Sequence, residues 1–146
     1  FIAGEYPVIN YLRHNARPYI FSASITPGAT AAASAALDIL KSEPDRIKRL
    51  WDLTHYTIDQ FKERGFEVGP TASPIIPLYI RDDNKTFTIT KMLFEEGIFV
   101  NPVVPPAVSS NDTLIRFSLM ATHTFEQINY AVERIEKIFK EMEVLK

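Results

Sequence analysis

The sequence predicts an α+β domain in which helices lie on a small sheet. Three observations predict it. Apolar residues recur at helical spacing in two long segments, 47–61 and 128–139. Short apolar runs at 66–68, 75–80, 98–100 and 113–119 are too brief for helices and read as strands. The gaps between these runs are mostly of hairpin or short-loop length, which suits layered α+β packing.

The elements follow in order. A first helix is expected from Tyr6 to Asn15, with Pro7 in its first turn, and Arg17-Pro18 should end it. Tyr19-Ile20-Phe21 reads as a short extended stretch. A second helix covers Pro27 to Lys41, rich in small residues that let another backbone approach closely. These first forty residues pattern differently from the rest and look like a segment that belongs against something else.

A third helix is marked at its start by Ser42 and Pro44 and at its end by Gly65. Its apolar face is expected to hold Ile47, Leu50, Trp51, Thr54, Ile58 and Phe61. The run Ile75 to Ile80 reads as a strand whose Pro77 argues for an edge or a bulge. Asp83 or Asn84 is suited to cap a helix over Lys85–Glu96 that stops at Gly97. Ile98–Val100 and Thr113–Leu119 read as strands, separated by a proline-rich loop, 101–112, too constrained for a flexible linker. The last helix carries a capping-box signature, Thr124 with Gln127, and an apolar stripe of Ile128, Val132, Ile135 and Phe139.

Composition narrows the function classes. A net charge of −2 and a pI near 5.9 give no electrostatic footprint for nucleic acid. The chain has no cysteine, so disulfide frameworks and thiolate metal sites are excluded, and His14, His55 and His123 show no metal-ligand spacing. The uncharged run from Pro18 to Leu37 is long enough to raise a membrane question. Its serines, Thr26, Pro27, Gly28 and alanines make it buried protein instead of a span. No transmembrane segment is expected, and a cytoplasmic location is the default. The start at Phe1, inside an apolar phrase, reads as the interior of a longer polypeptide.

Several phrases then align with a known pattern. They are Phe1–Gly4, Arg17 to Ser24 with the alanine-rich helix after it, Glu96 to Val100, the Pro105–Pro106 loop, and Ile115 to Thr124. In this order and spacing they resemble the C-terminal third of the α-oxoamine synthases, a family of pyridoxal-phosphate (PLP) enzymes. The family includes serine palmitoyltransferase, 8-amino-7-oxononanoate synthase, 5-aminolevulinate synthase and 2-amino-3-ketobutyrate CoA ligase. Each phrase alone is weak; their collinearity over nearly all of the chain is specific. The resemblance implies the C-terminal domain of a fold-type-I PLP-dependent transferase, with a small antiparallel-rich sheet covered by helices. Residues 1–41 would be the tail of the PLP-binding large domain and residues 42–146 the small domain.

The implied reaction condenses an amino acid with an acyl-CoA to give an α-oxoamine, CO2 and CoA, in a homodimer. Asn101-Pro-Val-Val and the Ile115–Thr124 phrase look closest to the serine palmitoyltransferase-like branch. The oxononanoate synthase and ketobutyrate ligase readings stay open, as does a non-catalytic α+β binding or dimerisation module. The resemblance places the cofactor lysine upstream of Phe1, so no catalytic residue is expected in this chain and it should be inactive alone.

Three positions take roles from the resemblance. By pattern alone Arg116 reads as a strand arginine paired with a surface acid. The family instead uses an arginine there to hold the substrate carboxylate, a task that suits a planar, always charged fork. Ser22 matches a serine that bonds the PLP phosphate of the partner subunit, although turn serines are ordinarily local caps. Ala107 falls where the loop covers substrate, with contact through backbone or shape only. His123 stands at a predicted helix start, where a structural hydrogen bond is expected, and the family uses its lysine as base. Arg17 and Arg81 are assigned nothing.

Overall fold

The computed structural model describes residues 2–145, so Phe1 of the first phrase lies outside the described residues. The chain divides into two compact units, one ending at Ser42 and one beginning at Glu43. The first holds α1 (Tyr6–Asn15), α2 (Arg17–Ile20) and α3 (Pro27–Ser42), none of which buries a side chain.

The extended stretch expected at Tyr19–Phe21 is a turn of helix instead. The break falls at Ala16, whose φ of −78° and ψ of 106° leave helical space. Pro18 then sits in a first helical turn, where its missing N–H costs nothing. The Ala16 carbonyl accepts from the amides of both Tyr19 and Ile20 at 3.0 Å.

The second unit is an α+β layer. Its elements are α4 (Asp45–Glu63), β1 (Ile75–Tyr79), α5 (Asp83–Glu95), β2 (Asn101–Val103), β3 (Leu114–Ser118) and α6 (Phe125–Glu141). The sheet is antiparallel in the order β1-β3-β2, so Pro77 lies on an edge strand as its missing donor requires. Alternation sends Ile76, Leu78, Ile115 and Phe117 into the core, where Leu53 and Phe61 of α4, Ile89 and Leu93 of α5, and the α6 stripe meet them. Phe61 packs edge-on against Phe66 and Phe117 at 5.1 and 5.6 Å.

The face of α4 is rotated from expectation. Thr54 and Phe61 are buried as expected and Leu50 and Ile58 pack partly buried against the core, but Leu53 and Thr57 are buried too, whereas Ile47 and Trp51 are 44% and 36% exposed. The two threonines enter the core because each hydroxyl donates back to the carbonyl four residues earlier at 2.7 Å. A polar residue satisfied within its own helix thus takes a place that an apolar count gives to its neighbours.

Phe66 and Val68 are buried without forming a strand of their own. The α5 cap is Asp82, one residue before the expected pair, whose carboxylate accepts from the Lys85 amide at 2.8 Å. The strand expected at Ile98–Val100 begins only at Asn101. Gly97, at φ +78°, closes α5 so that the Ile98 amide is spent on the Leu93 carbonyl at 2.8 Å. Gly65 ends α4 in the same way at φ +82°, with the Phe66 amide on the Phe61 carbonyl. The α6 capping box is complete: Thr124 Oγ1 accepts from the Gln127 amide at 3.2 Å, and Gln127 Oε1 accepts from the Thr124 amide at 3.0 Å.

Among the described residues no helix is long and apolar enough to cross a membrane, and no three acidic or histidine side chains gather as a metal-binding group.

Candidate functional site

The helices of the second unit cover one face of its sheet, and the alternation that buries Ile115 and Phe117 turns Arg116 to the other. Arg116 is the middle residue of the middle strand. Pro77 stands opposite it on β1 and Asn101 on β2. Its Nη2 lies 3.5 Å from Asn101 Oδ1, a long contact that steadies the fork without occupying it. Among the described residues Arg116 makes no ion pair, whereas Arg46, Arg64, Arg81 and Arg134 each hold a carboxylate. Among the described residues the surface-acid pairing that pattern alone suggested is absent.

Arg116 opens into a groove of about 690 Å³ whose walls include Phe99, Asn101, Ser118, Met120 and Tyr130. Tyr130 is fixed there. Its hydroxyl donates to the Glu96 carbonyl at 3.2 Å, and Arg134 stands 5.2 Å from the ring centre while reaching the Glu96 carboxylate at 3.6 Å. Glu126 also lines the groove. Its carboxyl is held below the usual range, first by a backbone amide at the start of α6 and then by the Thr124 hydroxyl. The groove therefore offers, among the described residues, a guanidinium without an ion pair, the Glu126 carboxylate, an anchored tyrosine and several apolar walls.

His123 lines the groove but is used structurally: its Nδ1 accepts from the Met120 amide at 3.2 Å and closes the turn after β3. Arg49 of α4 fastens the same turn, donating to the carbonyls of Ala121 at 2.8 Å and His123 at 2.9 Å. Arg81 is also structural. It pairs with Glu67 and Asp112, donates to the Asn111 carbonyl at 2.8 Å and lies 5.0 Å from the Tyr79 ring centre. These bonds raise its pKa further, led by the hydrogen bond to Glu67.

Ala107 does not line this groove. It follows the cis Pro105–Pro106 bond in a type VI turn, its amide donating to the Val104 carbonyl at 3.0 Å. That turn leaves the sheet where Val103 pairs with Leu114, whereas the groove lies toward Ser118 and Met120. Ser22 belongs to the first unit, exposed just after α2, where its hydroxyl donates to the Tyr19 carbonyl at 2.8 Å. Asn101, Phe99, Met120 and Tyr130 were not singled out as site residues in sequence. They come from three segments that only the β2–β3 register and the approach of α6 assemble; the available signal was Asn101 at the head of a strand.

The chain was compared with known proteins. It is 59% identical to serine palmitoyltransferase of Bacteroides thetaiotaomicron, over 99% of this chain and 37% of that protein. It is 41% identical to 8-amino-7-oxononanoate synthase of Petrotoga mobilis, again over 99% and 37%. A serine palmitoyltransferase from S. paucimobilis, solved with bound PLP–myriocin, superposes with a TM-score of 0.85 at 27% identity, covering 96% of this chain and 36% of that one. The chain thus spans a little over a third of the length of these relatives. The sheet-and-helix unit has the expected fold, that of the C-terminal domain of fold-type-I transferases. The model of the aminotransferase class I and II family matches residues 1–135, and the chain belongs to that family.

Proposed function

We propose that this chain is the substrate-facing part of a PLP-dependent acyltransferase that condenses an amino acid with an acyl-CoA, releasing CO2 and CoA, with a serine palmitoyltransferase-like choice of substrates. The observation that carries the reading is Arg116: a guanidinium that makes no ion pair among the described residues and lines an open groove. Such a group binds a carboxylate through two parallel hydrogen bonds and fixes its direction. Asn101 touches one arm of the fork, and Tyr130 and Met120 line the same groove. The relatives named serine palmitoyltransferase support the branch.

In this reading residues 1–41 are the end of a large cofactor domain and residues 42–146 the small domain. Ser22 suits the phosphate of PLP because its hydroxyl is exposed and its present bond, to Tyr19, is a local one that rotation exchanges for a phosphate oxygen. PLP, when bound, supplies an electron sink for the amino acid's α-carbon. Ala107 lies outside the groove, at the other end of the ladder, so its part in covering the substrate is limited to the backbone of its turn, without a side-chain donor. The enzyme works in the cytoplasm as a homodimer, Ser22 serving the partner's cofactor, and the 146-residue chain alone is inactive.

The test is a screen of the full-length enzyme with serine, glycine and alanine against short and long acyl-CoAs, reading CoA release. Serine with a long acyl-CoA is the expected pair. Alanine with a dicarboxylic acyl-CoA would favour the oxononanoate synthase reading, which the 41% identical relative supports. No release with any pair leaves the binding-module reading.

A further inference from the structure

Arg49 lies on α4, outside the groove, with its side chain exposed. Two acids of the same helix stand at ion-pairing spacings from it, Asp45 four positions before and Asp52 three after. Asp52 pairs with Lys48 instead, and among the described residues Arg49 makes no ion pair. Its Nε and Nη2 donate to the carbonyls of Ala121 and His123, 72 and 74 positions along the chain. At 2.8 and 2.9 Å both bonds are well made. Both acceptors are main chain, so the guanidinium fixes the path of the backbone itself.

The turn it grips, 119–123, joins β3 to α6. The Leu119 amide donates to the Pro74 carbonyl at 3.0 Å at one end, and the Thr124 capping box closes the other. Between them the His123 amide donates to the Met120 carbonyl at 3.1 Å, and the Met120 amide to His123 Nδ1 at 3.2 Å. These two bonds are internal: they set the shape of the turn, not its place against the rest of the unit. Arg49 ties the turn to another element.

Met120 and His123 line the groove with Arg116, and α6, which starts from the turn, adds Glu126, Gln127 and Tyr130. Arg116 itself is paired on both sides within the sheet. A shift of the turn therefore moves one wall of the groove against a guanidinium that stays in place.

We propose that Arg49 is a positioning residue for the amino-acid site: it touches no substrate, but its grip on the turn sets where Met120 and His123 stand relative to Arg116. The proposal rests on the acyltransferase reading and deepens it, because it carries control of the groove to a residue outside it. Losing the two bonds returns two exposed carbonyls to water, which the fold survives, and frees the turn to move. A misplacement of about 1 Å costs up to about a hundred-fold when it reaches the reacting groups, so a displaced wall should cost about ten-fold.

The test is the full-length enzyme carrying Arg49→Met, which keeps the stem and removes the donors. Well below the melting midpoint, KM for the amino acid should rise by about ten-fold. A merely structural role reads differently: partial unfolding removes active enzyme and lowers the apparent kcat with KM unchanged. Arg49→Lys keeps the charge and a single donor centre, so it should recover only part of the loss. Amide exchange over residues 119–123 should quicken in the Met variant while that of β1 does not. Unchanged KM in an active Met variant overturns the proposal and leaves the acyltransferase reading standing. Unchanged exchange does the same, and so does full recovery by Lys, which assigns the effect to charge alone. Should the Met variant not fold, the Lys variant decides: a raised KM at an unmoved midpoint supports the proposal, and an unchanged KM overturns it. A wild-type enzyme that releases CoA from no substrate pair removes the acyltransferase reading itself, and this proposal with it.

Discussion

Asn101 and Arg116 stand directly opposite each other in the β2–β3 ladder, with the amide oxygen of one 3.5 Å from the guanidinium of the other. The pair is polar but uncharged on the Asn101 side, so the positive charge remains for a ligand. An acid in place of Asn101 would fill the site from within.

In the full-length enzyme, Arg116→Ala should raise the amino-acid KM by about ten- to a hundred-fold and lower kcat, the worth of a charge-assisted bond. Arg116→Lys should recover only part, because an ammonium cannot bind both carboxylate oxygens in one plane. The side chain is exposed and makes no ion pair among the described residues, so neither change should move the thermal midpoint. Steady-state kinetics beside a melt decide it: unchanged KM, or a shifted midpoint, removes Arg116 from the substrate site.

Arg81 has φ +63°, a left-handed conformation that costs any residue with a Cβ. Its side chain offsets this through Glu67, Asp112, Asn111 and the Tyr79 ring. Arg81→Ala should therefore lower the melting temperature, losing the contacts and keeping the strain. Arg81→Gly loses the same contacts but relaxes the backbone, and should melt above the alanine variant. The opposite order in calorimetry would refute this account.

Glu136 titrates below the ordinary glutamate value of 4.5, chiefly because Lys140 donates to its carboxylate at 2.7 Å, with Arg64 adding a bond at 3.0 Å. A carboxylate whose pKa is depressed by folding contributes stability above its unfolded pKa and loses it as pH falls through the folded one. Urea midpoints of the wild type should drop between about pH 7 and about pH 3, and Glu136→Gln should narrow that drop. An equal drop in both proteins would show that this pair does not set the acid limb.

The capping box supplies a fourth measurement. Thr124→Ala removes the hydroxyl that accepts from the Gln127 amide and should cost about 1 kcal/mol in chemical denaturation. Thr124→Ser keeps the oxygen and should cost far less.

How much of this was legible in sequence depended on whether the deciding partner was local. The start of α6 and its stripe were, because Thr124, Gln127 and the residues at 128–139 satisfy one another within a single helix. The burial of Thr57 was not, since a hydroxyl that bonds its own helix counts as polar in any tally of periodicity. The start of β2 was hidden because the helix exit at Gly97 consumed the Ile98 amide before the ladder began. Asp82, Asp83 and Asn84 are three good caps in a row, and only the observed bond to Lys85 selects among them. At the site, the family resemblance pointed to Arg116, but its surroundings arise from the register of two strands and the approach of α6.

The central position of β3 also governs how such a site changes over generations. A strand bonded on both sides cannot slide: one inserted residue would turn Arg116 inward and carry Ile115 or Phe117 out in its place. New preferences at the groove must therefore arise by exchanging side chains at every second position, with chain length held constant. Insertions and deletions are confined to the connections beyond the ladder, such as the segment between Val103 and Leu114.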